Sequence, residues 1–202
     1  MNATPSKCVF LDKDGTLVEN LPYNADPSRM RLVERAGAAL RLLHEAGFAF
    51  VVVSNQSGIA RGFFTEESMR PLSQRLEEML AAEGVPLTAF YYCPHHPDGS
   101  VPEYSLHCTC RKPAPGLLWL AAETHGLSLR ESWLIGDILD DVEAGNRAGC
   151  RTVLLDNGGE TEWALTPLRR PGHLAADLYE AAWTVLAHER PFLPAVVAGG
   201  GR

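Results

Sequence analysis

The chain has 202 residues, of which 46% are apolar and 21% charged, and carries a formal net charge of −7. That length is enough for one domain with a sizeable core, and the composition is that of an ordinary globular protein. The acidic balance excludes broad attraction to nucleic acid or anionic membrane, and no apolar run approaches the ~20 residues of a membrane span.

The first residues, Met1 to Lys7, lack the apolar core of a secretory leader, so the cytoplasm is the expected compartment. Val9-Phe10-Leu11 reads as a short buried strand, followed by a loop rich in Pro and Asn from Val18 to about Arg31. Glu34 to Ala46 has helical spacing through Ala38, Leu42 and Leu43, with Gly47 as its stop. Phe48 to Val53 is a continuous apolar run, the mark of a strand covered on both faces. Thr65 reads as the N-cap of the next helix. Met69, Leu72, Leu76, Met79 and Leu80 form its inner face, and Gly84 ends it. Phe90 to Tyr92 is a short strand, Pro115 to His125 a helix, Ser132 to Ile135 a strand, Asp140 to Ala148 a helix, and Arg151 to Leu155 a strand. Leu174 to His188 reads as a terminal helix. This alternation predicts an α/β, Rossmann-like parallel sheet with helices on both faces, in one domain over residues 1–190, with residues 191–202 a disordered tail.

Four polar segments lie where such elements end. Asp12 and Asp14 follow the first strand, and Ser54-Asn55-Gln56-Ser57 opens the run to Gly62 after the second. Arg111-Lys112-Pro113 precedes the Pro115 helix, and Asp137 to Asp141 follows the Trp133 strand. In parallel strands these ends converge on one sheet edge, where ligands bind in open α/β sheets. The chemistry available there is specific. An Asp12 carboxylate can attack phosphorus, and Asp14 can protonate the leaving oxygen and then deprotonate water. Asp12 and Asp137 can share Mg²⁺, which takes a few carboxylates together with water and phosphate oxygens. Lys112 adds a positive charge, and the Ser54 hydroxyl with the amides of its turn can cradle phosphate.

The cysteines carry a second signal. Five is an odd number, which does not suit a disulfide framework. Cys8 and Cys150 stand in apolar surroundings and read as buried small hydrophobes. Cys93-Pro94-His95 and Cys108-Thr109-Cys110 give two ligand pairs separated by a loop, the spacing of a Cys₃His zinc site. His95 fits that spacing better than His96 or His107. Four protein ligands close the coordination sphere, so the zinc would be structural and would pin the loop from Pro97 to His107.

In their order and spacing the four segments, Asp12 to Asp141, resemble those of the haloacid dehalogenase-type phosphatases. The resemblance implies that Asp12 is the nucleophile and Asp14 the general acid/base, and that Ser54 and Lys112 bind the transferring phosphoryl group. It also implies that Asp12, the backbone carbonyl of Asp14 and Asp137 hold Mg²⁺, with Asp141 in support. Together with the zinc pairs, Cys93-Pro94-His95-His96-Pro97 and Cys108 to Pro113 resemble the subgroup of heptose 1,7-bisphosphate and histidinol-phosphate phosphatases. Ser54 to Gly62 is closer to the heptose enzymes. Two positions differ from that subgroup: Ile138 stands where a Lys commonly follows the aspartate, and the loop Asn20 to Asn24 is of another sequence.

On this basis the expected reaction is Mg²⁺-dependent hydrolysis of the C7 phosphate of D-glycero-D-manno-heptose 1,7-bisphosphate through an aspartyl-phosphate. Arg61 and Arg111 are candidates for the second phosphate, with a solvated loop cation the alternative for Arg61. The expected enzyme is a cytoplasmic monomer with no large cap domain, acting on a small phosphorylated metabolite, with no nucleic-acid or membrane partner. Histidinol phosphate is the alternative substrate, and polynucleotide ends fit poorly with the acidic balance. A reading of another class is a zinc-stabilised binding module without catalysis. Gly158 to Trp163 and Arg169 to Pro171 read as a solvent-facing extension, or else as a wall of the substrate pocket or a contact for a partner.

Overall fold

The computed structural model describes residues 6–189, so the expected tail over 191–202 lies outside them, as do residues 1–5. In chain order the elements are β1 (Cys8–Leu11), α1 (Ala36–Glu45), β2 (Ala49–Asn55), α2 (Met69–Ala82), β3 (Ala89–Cys93), α3 (Gly116–His125), β4 (Trp133–Gly136), α4 (Leu139–Ala148), β5 (Arg151–Leu155), β6 (His173–Ala175) and α5 (Leu178–Glu189). The strands form one sheet in the order β3-β2-β1-β4-β5-β6, every neighbouring pair parallel. The order reverses between β1 and β4, which places a crevice beyond the carboxyl end of β1.

Alternate residues of each strand face opposite sides, and here both sides are covered. Val9, Leu11, Phe50, Val52 and Ile135 pack under α1, α2 and α5, whereas Phe10, Val51, Val53 and Leu134 pack under α3 and α4. Each such side chain contributes about 1.5–3 kcal/mol on full burial, so the central strands carry much of the core's stabilisation. Among the described residues there is no large cap, and no helix is long and apolar enough to cross a membrane.

Four expectations need correcting. Leu174 does not open the last helix. Val153, Leu154 and Leu155 recruit His173, Leu174 and Ala175 as an edge strand, and α5 begins at Leu178, where Asp177 accepts the Glu180 N–H at 2.7 Å. Helix α1 starts at Ala36, since Arg35 adopts φ 61°. Its buried face is Ala36, Ala39, Leu40 and Leu43, with Ala38 and Leu42 half-buried. Thr65 makes no capping bond, and a 3₁₀ turn over Glu66–Ser68 leads into α2 instead.

Candidate active site

The amide of Asp12 donates to Ile135 O at 3.0 Å, the last bond of the β1–β4 ladder, and frees its carboxylate to emerge into the crevice. Ser54 stands at the end of β2 and Asp137 just past β4, so three adjacent strands deliver them to one edge. Asp12, Ser54, Asp137 and Asp141 are all buried, and so is Lys112, which arrives from the loop after β3. Lys112 Nζ pairs with Asp12 and, at 2.5 Å, with Asp141, and donates to Val53 O at 2.9 Å. Its backbone is fixed by Asn55, whose side chain bonds both the Lys112 N–H and the Lys112 carbonyl at 3.0 Å.

Asp14 faces elsewhere. Its two oxygens are held by Lys13 Nζ at 2.5 Å and by Gln56 Nε2 at 3.0 Å, and the same Gln56 nitrogen lies 2.8 Å from Ser54 Oγ. Lys13 is itself buried, and Asp14 is one of the residues lining a cleft of about 280 Å³ beside the acids. The Asn20–Asn24 loop lines that cleft together with Ser57, Gly58 and Phe64. A second cleft of about 330 Å³ is lined by Lys112, Arg111, His107, Asp140 and Arg147 among others.

The electrostatics of the centre are out of balance. Asp12, Asp137 and Asp141 bring carboxylate oxygens within 4.8 Å of one another, against the single ammonium of Lys112. Burial pushes the Asp12 carboxyl up to about 8; Lys112 opposes the shift, while Asp141, Asp137 and Asp14 add to it. Asp137 is pushed up to about 6, by burial first and then by Asp141, against the pull of Lys112 and the Thr16 hydroxyl. For Lys112 burial acts downward, yet Asp12 and Asp141 outweigh it and hold the ammonium charged. Crowded oxygen donors with surplus negative charge suit a hard divalent cation. The walls leave room for them: a Cβ on Gly15 or Gly159 would overlap Asp137, and one on Gly136 would overlap Asp141.

Several of these partners were not evident in the sequence. Thr16 Oγ1 donates to Asp137 at 3.2 Å. The segment after β5, read as a solvent-facing extension, folds back onto the site. Asn157 donates to Gly15 O at 2.8 Å, and Glu160 accepts the first N–H of α4, that of Leu139, at 2.6 Å. Gly158, Trp163, Leu165 and Leu168 are exposed, whereas Arg169 is half-buried and donates to Asp140 at 2.6 Å.

The thiol group is compact. Sγ–Sγ separations among Cys93, Cys108 and Cys110 are 3.2, 3.3 and 3.5 Å, and His95 Nδ1 lies 3.6 Å from Cys93 and 3.4 Å from Cys110. Tetrahedral zinc with sulfur at ~2.3 Å has edges of roughly 3.8 Å, so the donor set fits the ion in kind and size. His96 and His107 lie outside the group. The loop between the two pairs is tied to the loop after β2: Ser100 and Val101 N–H donate to Ala60 O, Ser100 Oγ donates to Arg61 O, and Tyr104 donates to Glu66. Arg61 thus sits under the metal loop, its Nη2 3.2 Å from His96 Nε2, and Arg111 donates to His95 O at 3.4 Å. Cys8 and Cys150 are buried free thiols.

Comparison with known proteins agrees with this geometry. A family model described as "HAD-hyrolase-like" matches residues 109–181. The D-glycero-beta-D-manno-heptose-1,7-bisphosphate 7-phosphatase of Yersinia pestis is 41% identical over 84% of this chain and 87% of its own length. The protein of that name from Escherichia coli K12 is 41% identical over 75% of this chain and 80% of its own. The crystal structure of the D,D-heptose 1.7-bisphosphate phosphatase from B. bronchiseptica, complexed with magnesium and phosphate, superposes with a TM-score of 0.76 at 29% identity, covering 90% of this chain and 99% of that one.

Proposed function

The chain belongs to the haloacid dehalogenase-like phosphatases, in the group of the heptose 1,7-bisphosphate 7-phosphatases, and from that premise we propose that it removes the C7 phosphate of D-glycero-β-D-manno-heptose 1,7-bisphosphate. It is a phosphoric monoester hydrolase, which sets aside a non-catalytic zinc-stabilised module. The observation that carries the mechanism is the meeting of a buried carboxylate, Asp12, with the ammonium of Lys112 at the end of β1, beside a second carboxylate, Asp14, that is held by other partners.

In this reading Asp12 attacks phosphorus and the bond to the C7 oxygen breaks, giving an aspartyl-phosphate and an alkoxide that takes a proton from Asp14. Asp14 then removes a proton from water as the water oxygen attacks the aspartyl-phosphate, which releases inorganic phosphate and restores Asp12. Lys13 and Gln56 keep Asp14 aimed throughout, while Lys112 and Ser54 bind the phosphoryl oxygens. Asp12 and Asp137, with the Asp14 carbonyl, would hold Mg²⁺, and Asp141 orients Lys112 beside them. When bound, the cation offsets the repulsion between an anionic nucleophile and an anionic phosphate. Cys93, His95, Cys108 and Cys110 would hold zinc as a structural ion. Arg61 and Arg111 are the candidates for receiving a second phosphate.

The test is kcat/KM on heptose 1,7-bisphosphate, heptose 7-phosphate and histidinol phosphate, with and without Mg²⁺. A preference for the bisphosphate is expected. A preference for histidinol phosphate would transfer the substrate to the other branch of the subgroup while leaving the chemistry in place.

A further inference from the structure

The carboxylate of Asp137 stands in a slot between two glycines. For a Cβ built on either Gly15 or Gly159 the first atom met would be Asp137 Oδ2, at 2.2 Å, while Oδ1 accepts from the Thr16 hydroxyl. Gly15 belongs to the turn after β1 and Gly159 to the segment after β5, so the width of the slot depends on how two separate turns meet. A single side chain joins them. Asn157 donates through Nδ2 to Gly15 O at 2.8 Å and accepts the Gly159 N–H on Oδ1 at 3.1 Å.

Both ends of that link bear on atoms assigned to the cation. At one end it holds the Gly159 backbone against Asp137. At the other it completes the hold on Gly15, whose φ is 87° and whose N–H donates to Val18 O at 2.8 Å. The Asp14 carbonyl shares a rigid peptide plane with that N–H, so fixing Gly15 on both sides fixes where the carbonyl points. Glu160 anchors the same segment to α4: Oε2 accepts the Leu139 N–H at 2.6 Å, and Oε1 accepts those of Thr161 and Glu162 at 2.9 and 2.8 Å. Asn157 is itself exposed, where neutral hydrogen bonds add little to stability because water competes for both groups. What its amide supplies is the spacing of the two glycines.

We propose that Asn157 is a positioning residue for the Mg²⁺ site: by joining Gly15 to Gly159 it sets the slot that holds Asp137 and the direction of the Asp14 carbonyl. It acts through those neighbours and not on the substrate. This rests on the assignment of Asp137 and the Asp14 carbonyl to Mg²⁺, and the experiment separates the two. Wild type, Asn157→Ala and Gly159→Ala are compared in Mg²⁺ affinity by isothermal titration calorimetry. The Mg²⁺ concentration for half-maximal turnover of phenyl phosphate and the urea midpoint in chelator are measured alongside.

In Asn157→Ala the Mg²⁺ dissociation constant is expected to rise about tenfold, the size typical of losing a group that orients a metal ligand. Half-saturation of turnover should shift by the same factor, with kcat largely recovered at high Mg²⁺ and the midpoint in chelator unmoved. Gly159→Ala leaves Asn157 intact but puts a methyl group on Asp137 Oδ2, and should weaken the cation at least as much. Gly159 is not left-handed, so an alanine there meets Asp137 without backbone strain. An unchanged dissociation constant in Asn157→Ala, beside a wild type that binds Mg²⁺, overturns this inference alone. A wild type that takes up no Mg²⁺ overturns the metal assignment and the inference together. Should Asn157→Ala fail to fold, Gly159→Ala decides: a weaker cation supports the slot, and wild-type affinity removes it.

Discussion

The two ligand groups flanking Lys112 are built in opposite ways. The carboxylates stand at the ends of β1 and β4 and in the first turn of α4, buried and carrying more charge than their one lysine can neutralise. The thiols and imidazole stand mostly on loops, half-buried, and offer four donors that complete a coordination sphere by themselves. An oxygen group left short of positive charge has capacity for a cation and a phosphate together. A sulfur group with four ligands has no open position, and its effect is confined to the loop it shapes. In the proposed reading the buried charge at the strand ends serves the reaction, and the closed thiol set serves recognition.

Breaking each side in turn should give effects of graded size. Asp12→Asn removes the attacking oxygen and should lower kcat by about four orders of magnitude; turnover within tenfold of wild type would end the assignment of the nucleophile. Lys112→Met leaves Asp12 and Asp141 buried without their cation and should cost about 3 kcal/mol of stability in chelator, read from urea unfolding. An unaltered midpoint would mean that the carboxylates are held neutral by some other means. Cys110→Ser should release the thiol-bound metal, measured by elemental analysis, and lower kcat/KM on the bisphosphate only about tenfold. A fall as deep as that of Asp12→Asn would erase the contrast between the two groups. The smallest change is Tyr92→Phe, which removes the 3.1 Å bond from β3 to Glu66 and should cost about 1 kcal/mol while leaving kcat in place.

What could be read from the sequence divides along the same line. Asp12, Ser54, Lys112, Asp137 and Asp141 were legible because each follows or precedes an apolar run whose end must point to a common edge. The thiol pairs were legible because metal geometry restricts ligand spacing. The missed features depend on distant partners. Nothing local marks Asn157 as a donor to Gly15, or Glu160 as the acceptor at the start of α4, since β5 brings them there from 142 and 21 residues away. Lys13 has the surroundings of a surface lysine between two acids, and only enclosure by neighbouring strands turns it inward. The edge strand β6 is partly legible. Asp177-Leu178-Tyr179-Glu180 has the acid-x-x-Glu form of a helix start, and it separates Leu174 from the helix that follows.

The Asn55 clamp has a consequence for how such an enzyme can change. Because one side chain on β2 grips both backbone groups of Lys112, the lysine's position does not depend on the length or sequence of the loop that leads to it. Doubling a flexible loop adds only about 0.6 kcal/mol of closure entropy. The stretch from Pro97 to His107, which lies between the two ligand pairs, is thus the part whose length and sequence can change with least effect on the register of the lysine with Asp12.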